Sequence, residues 1–146
     1  MIAYLDTSVL SRAFLPDEEG HEAALKLISD ESIVLVTGTW TRVEMAAALT
    51  RARRSGRSST LHLVDAALAA LDDDGCVAVV AAPQEDVEAV AFTLATEHGL
   101  RAMDAWHLAC ALVVLPQLAE ADEVQGFATR DEEQGAAAIR CGLTRL

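Results

Sequence analysis

Five short apolar runs punctuate this chain, and as a set they lack the polar-out alternation of a half-wet sheet. They are Ile2–Leu5, Ile33–Val36, Cys76–Val80, Val124–Ala128 and Leu143–Leu146. Strands that read this way are covered on both faces. Between them lie longer patterns of helical type: Ser8–Leu15, Glu18–Ser29, Thr39–Arg54, Thr60–Leu71, Pro83–His98, Met103–Leu115 and Arg130–Arg140. Pro16-Asp17 separates the first two, and Asp72-Asp73-Asp74-Gly75 closes the fourth. Gly56 and Gly99 stand just past helix ends, and Pro83 stands at a start, where each residue's backbone preference is useful. Strands separated by helices require crossovers, so the expected fold class is α/β with a mainly parallel central sheet flanked by helices. Met103–Leu115 is apolar all round, which predicts a central, buried helix.

The 146 residues suffice for one domain, taken as residues 1–146. A chain of that size buries about 68–70% of its unfolded surface and needs no staples. Its 23 acids against 11 bases give a formal net charge of −12. That balance argues against a generic nucleic-acid binder, which carries a basic face, and against attraction to anionic lipid. Cys76, Cys110 and Cys141 are odd in number and widely spaced, so neither a zinc knuckle nor a disulfide framework is expected. The opening MIAYLDTSVL has no basic segment, unlike a signal peptide. The longest apolar run, Leu108–Pro116, is about half a membrane span. The expected setting is cytoplasmic, with no membrane partner.

Four acids stand where solvated acids are not needed. Asp6 ends the first strand, either as a helix N-cap or as a ligand at the carboxyl edge of a central strand. Glu44 lies inside the apolar stripe expected from Trp40, Val43, Ala47 and Ala48. A carboxylate on a buried face needs a partner or becomes protonated; at the margin of the stripe it snorkels to water instead. Asp104 begins the most apolar helix, and His107 follows one turn later on the same side. A lone His on such a helix reads first as a satisfied core residue, and Cys110 beside it reads as core too. Asp131 follows the fourth strand, where Thr129 and Glu132 also spell a capping box and an acid suits the helix dipole.

In a parallel sheet these strand-to-helix junctions share one edge. Four carboxylates there repel, by about 4 kcal/mol per pair at 4 Å and an effective dielectric of 20. A divalent cation relieves that repulsion, and an all-oxygen donor set selects Mg²⁺ or Mn²⁺. Phosphoryl chemistry is the typical use of such a site.

With these pieces in order, the chain resembles the PIN-domain ribonucleases, and among them the VapC-type toxins of toxin–antitoxin pairs. The matching segments are MIAYLDTSVL with Asp6, TWTRVEMAAAL with Glu44, LRAMDAWHLACA with Asp104 and GFATRDEEQGAAAIRCGL with Asp131. The resemblance implies a PIN-like three-layer α/β sandwich and a Mg²⁺- or Mn²⁺-dependent endoribonuclease. It implies Asp6 and Asp104 as the most direct metal ligands. Glu44 and Asp131 complete the quartet, as ligands or through water, and Ser8 and Thr129 are supporting hydroxyls. It implies in-line attack of an activated water on the scissile phosphorus, a cognate antitoxin as partner, and a homodimer. Glu132 and Glu133 stand beside Asp131 and remain alternatives for the fourth acid.

Five bases, Arg42, Arg51, Arg53, Arg54 and Arg57, fall in one segment. Arg51 with Arg54, and Arg53 with Arg57, are neighbours on a helix face. Arg51, Arg53, Arg54 and Arg57 are the candidate RNA contacts; a solvated helix end that favours cations is the simpler reading, and antitoxin acids are a second possible partner. Few aromatics are present, so base stacking is not expected to carry affinity. Phosphoacceptor and dehalogenase-type readings fail for want of a second Asp at position 8 and of a late Lys, the only lysine being Lys26. A non-catalytic scaffold binding RNA or protein remains, as does a PIN nuclease without an antitoxin.

Overall fold

The segments Ile2–Leu5 (β1), Val34–Gly38 (β2), Ala78–Val80 (β3), Gln125–Ala128 (β4) and Thr144–Arg145 (β5) pair into one sheet in the order β3-β2-β1-β4-β5. Every pairing is parallel, as crossovers through helices require. The computed structural model describes residues 1–57, 62–72 and 75–146. Its helices are Thr7–Ala13 (α1), His21–Ile28 (α2), Trp40–Arg54 (α3), Leu63–Ala69 (α4), Gln84–His98 (α5), Ala102–Leu118 (α6) and Glu132–Arg140 (α7). The expected α/β class with a parallel sheet is therefore observed.

The pleat of β1 divides the core in two. Ile2 and Tyr4 point to one face and pack with Val36, Leu108, Leu115 and Phe127 under α5, α6 and α7. Ala3 and Leu5 point to the other and pack with Leu10, Leu35, Met45 and Leu49 under α1, α3 and α4. All four β1 residues are buried, which explains why the run shows no polar alternation. The helix α6 is central as expected, burying Ala105, Leu108, Ala109, Ala111 and Leu115.

Several boundaries differ from expectation. The second helix begins at His21, not Glu18, because Gly20 is left-handed (φ 84°) and ends the preceding turns. The guanidinium of Arg130 fills the space that a β-carbon at Gly20 would need. The start expected at Thr60, and Asp73 and Asp74 of the acidic turn, lie outside the described residues. The helix α6 continues through Pro116 to Leu118; the proline costs one backbone bond in a last turn, and Ala119 N still closes on Leu115 O at 2.9 Å.

The stripe expected on α3 is corrected. Trp40 and Val43 are exposed, at 50% and 60%, and the buried face is Thr41, Met45, Leu49 and Ala52. Thr41 goes inward because its hydroxyl has a partner: it meets Thr37 Oγ1 at 2.7 Å, and Thr37 in turn donates to Leu5 O at 2.7 Å. A satisfied hydroxyl can be buried at little cost, and this one pins the start of α3 to the end of β1.

Candidate functional site

Chain reversal at β1 sets the location. The chain runs outward from β1 through β2 to β3, then returns to place β4 on the other side of β1. The carboxyl ends of β1 and β4 thus flank a topological switch point, where open parallel sheets bind ligands. Asp6 follows β1 and Asp131 follows β4, and the two loops are stitched together: Asp6 N donates to Ala128 O at 2.9 Å, and Arg130 N donates to Ser8 Oγ at 3.3 Å. Ser8 therefore holds the β4 loop against α1.

Each acid is placed by local chemistry. Asp6, 7% exposed, is the N-cap of α1; its Oδ2 accepts from Ser8 N at 3.0 Å. Capping and site membership coexist, because Oδ1 makes no hydrogen bond among the described residues and lies 3.9 Å from His107 Nε2. Asp131 is the N-cap of α7, its Oδ1 accepting from Gln134 N at 2.9 Å. Thr129 does not form the expected capping box with Glu132; its Oγ1 accepts from Asp131 N at 3.1 Å and donates to Gln134 Oε1. Asp104 sits in the first turn of α6, whose N-cap is Arg101, with no side-chain cap. Its carboxyl makes no hydrogen bond among the described residues. Burial, then the charges of Asp131 and Asp6, hold it above the ordinary carboxylate range, outweighing Arg101 and His107.

Glu44 is half-buried and fully engaged at one oxygen. Its Oε2 accepts from Thr7 Oγ1 at 2.5 Å and from His107 Nε2 at 2.6 Å. Burial pushes its pKa up, but these two hydrogen bonds and the His107 charge win, and the net shift is downward. His107, 2% exposed, also meets Tyr4 Oη through Nδ1 at 2.9 Å. Burial disfavours its charged form, yet the bond to Glu44 and the charges of Asp6, Glu44 and Asp104 outweigh it, so its pKa is raised.

The sequence-predicted acids therefore gather at one edge, in two linked groups. The charges of Asp131 and Asp6 act on Asp104, while Glu44 is tied to Thr7 and His107. Among the described residues, no group of three or more His, Cys, Asp or Glu stands at the spacing of a preformed metal cage. Glu132 points elsewhere: Arg145 grips both its oxygens, at 2.7 and 2.8 Å, on the surface. Of the basic residues, Arg57 is held by Asp17 at 2.7 Å and Glu18 at 2.5 Å, and Arg42 donates to Leu71 O at 2.5 Å. Arg51, Arg53 and Arg54 are exposed on the last turns of α3.

Sequence reasoning passed over three supporting residues. Thr7 lies inside the Asp-Thr-Ser segment and reads as a helix start. Tyr4 reads as core. Gln134 is fully buried and donates Nε2 to Asp104 O at 3.0 Å, joining α7 to α6. The available signal was spacing: Gln134 lies one turn after Asp131, on the face that continues to Ala137 and Ala138.

The family description "PIN domain" matches residues 3–138. No curated protein matches the chain. Among solved structures, the chain is similar to PAE2754 from Pyrobaculum aerophilum (19% identity, TM-score 0.63, 99% of this chain and 83% of that one). It is similar to VapBC2 from Rickettsia felis bound to a DNA fragment from its promoter (12% identity, TM-score 0.64, 100% and 98%). It is also similar to FitAcB from Neisseria gonorrhoeae (18% identity, TM-score 0.60, 100% and 96%). At these identities the likeness is one of fold, and the sheet order and edge-clustered acids described above are what the fold positions. With the family description spanning nearly its whole length, the chain belongs to the PIN-domain family.

Proposed function

We propose that this chain is a Mg²⁺- or Mn²⁺-dependent endoribonuclease and the toxin of a toxin–antitoxin pair, with Asp6, Glu44, Asp104 and Asp131 as its acidic site. The observation that carries the reading is Asp104: a half-buried carboxylate with no hydrogen-bond donor, raised by burial and by Asp131 and Asp6. An uncompensated negative cluster at the ligand-binding edge of a parallel sheet fits a hard cation. The donor set fits as well. All donors are oxygens, and Asp6 Oδ1, Asp131 Oδ2 and both Asp104 oxygens have no partner among the described residues. A bound divalent cation supplies charge neutralisation for phosphate and lowers the pKa of a water. Asp6 and Asp104 would hold it, with Asp131 and Glu44 beside it or reaching it through water. Thr129 and Ser8 fix the two loops, and Arg51, Arg53 and Arg54 offer cationic contacts to RNA phosphates.

The toxin role is supported by the resemblance of the segments around the four acids to VapC-type toxins, and the likeness in fold to the VapBC2 and FitAcB structures agrees with it. An antitoxin, a homodimer and a cytoplasmic setting belong to the same proposal. No helix among the described residues is long and apolar enough to cross a membrane. The open spacing of the acids favours one rival, a PIN-like scaffold that binds RNA or protein without cleaving.

Purified protein incubated with RNA and Mg²⁺ or Mn²⁺ separates the two. We expect cleavage that EDTA abolishes and that Asp104→Asn lacks. Binding without cleavage at any cation concentration selects the scaffold. A short antitoxin reading frame beside this gene is expected; its absence leaves a stand-alone nuclease.

A further inference from the structure

A chain of buried hydrogen bonds runs from the sheet backbone to one site acid. Gly38 N donates to Tyr4 Oη at 3.0 Å. Tyr4 Oη meets His107 Nδ1 at 2.9 Å, and His107 Nε2 meets Glu44 Oε2 at 2.6 Å. Tyr4 is fully buried, His107 is 2% exposed, and no side-chain polar atom sealed from solvent lacks a partner among the described residues. The partners fix the imidazole's role. Glu44 can only accept, so Nε2 carries a proton, whatever the state of Nδ1. Phe127 stacks on Tyr4 with centroids 5.7 Å apart, and the Tyr4 and His107 rings are tilted at 59°. Gly38 belongs to the device: a β-carbon there would stand 2.7 Å from Tyr4 Oη. From the sequence, Tyr4 belongs to a buried strand and His107 reads first as a core residue, and neither is one of the four acids.

We infer that His107, itself oriented by Tyr4, is a positioning residue for Glu44: it commits Oε2 to the protein and leaves Oε1 alone to serve the cation. This rests on the proposed metal-dependent reading of the site. A hydrogen-bonded carboxylate with one oxygen occupied acts in one orientation, and partners that orient a ligand typically govern about 10–100-fold in metal affinity or activity. Thr7 gives Oε2 a second donor, so the carboxylate has two fixed points.

The test is Mn²⁺ titration of the full chain, with RNA cleavage as the second readout, for wild type, His107→Leu, His107→Gln and Tyr4→Phe. His107→Leu is expected to weaken Mn²⁺ binding about 10–100-fold and to lower kcat with KM unchanged. His107→Gln, whose amide can donate to the same oxygen, is expected to restore most of both. Tyr4→Phe, one link further away, is expected to cost about 2–10-fold, the worth of one hydrogen bond. If His107→Leu does not fold, His107→Gln and Tyr4→Phe decide. Unchanged Mn²⁺ affinity in folded His107→Leu or in Tyr4→Phe, or a loss in His107→Gln as large as in His107→Leu, makes the ring mere packing and overturns the inference. Wild type that binds Mn²⁺ but cuts no RNA overturns only the nuclease reading. Wild type that binds no Mn²⁺ overturns both.

Discussion

Gln134 donates its side-chain amide to the main-chain carbonyl of Asp104 at 3.0 Å, across the interface of α7 and α6. The same side chain accepts from Thr129, and its main-chain N–H caps onto Asp131. One fully buried polar residue thus holds two of the four acids in a fixed relation.

Replacing it tests that relation. In Gln134→Leu the Thr129 O–H loses its acceptor in the interior, and the Asp104 carbonyl loses its cross-helix donor and keeps only its bond within α6. An orphaned buried group costs about 1–3 kcal/mol, so urea unfolding should show a loss of that order. Cleavage should fall further than stability alone explains at temperatures where the variant is fully folded.

Asp104 gives a pH-dependent signature in cation-free protein. Its folded pKa is raised by burial and by Asp131 and Asp6. Its contribution is therefore fully present below the ordinary carboxylate pKa and is lost as pH rises through the folded value. Asp104→Asn should be more stable than wild type near pH 7 and lose that advantage on acidification to about pH 3. Adding Mn²⁺ should reverse the order at pH 7, stabilising wild type by about 2.7 kcal/mol at 100 times Kd and leaving the variant unmoved. Thermal melts with and without EDTA measure both signs.

The candidates for the fourth acid differ in their partners. Asp131 caps α7 and its charge acts on Asp104, whereas Glu132 is gripped by Arg145 on the surface. Asp131→Asn keeps a capping oxygen and should still reduce cleavage about 10-fold or more, at least the loss typical of a group that supports a metal site from outside its ligands. Glu132→Gln should leave the rate within about twofold of wild type, as a surface change does. Equal loss in both variants would contradict the geometry.

The arginines should divide in the same way. Arg51 and Arg54 are exposed, whereas Arg57 is occupied by Asp17 and Glu18. Each lost phosphate contact lowers the salt dependence of single-strand binding by about 0.7 in the log–log slope. Arg51→Gln with Arg54→Gln should therefore reduce the slope for single-stranded RNA by about 1.4. Arg57→Gln should leave the slope unchanged and loosen the turn around Asp17. Filter binding across a salt series reads the difference.

Much of this was legible from the chain alone. Continuous apolar runs between helical patterns dictated a parallel sheet with two covered faces, because a strand wet on neither side has no reason to alternate. Acids at the ends of those runs pointed to one sheet edge, because parallel strands place their carboxyl ends together. The Thr39–Arg54 helix was foreseen, yet its buried face was not. Hydropathy assigned Trp40 and Val43 to the interior, while the structure exposes them and buries Thr41.

What tertiary structure alone decided were the partners of polar groups. Nothing local says that Thr41 may be buried, since its licence is Thr37 on another element. Nor does the sequence say that Glu44 is met by His107, which lies 63 positions away, or that Glu132 turns outward to Arg145. Apolar burial is non-directional and roughly additive, so it is written in pattern. A buried hydrogen bond is a geometric agreement between two distant positions, and only the folded chain brings both to the table.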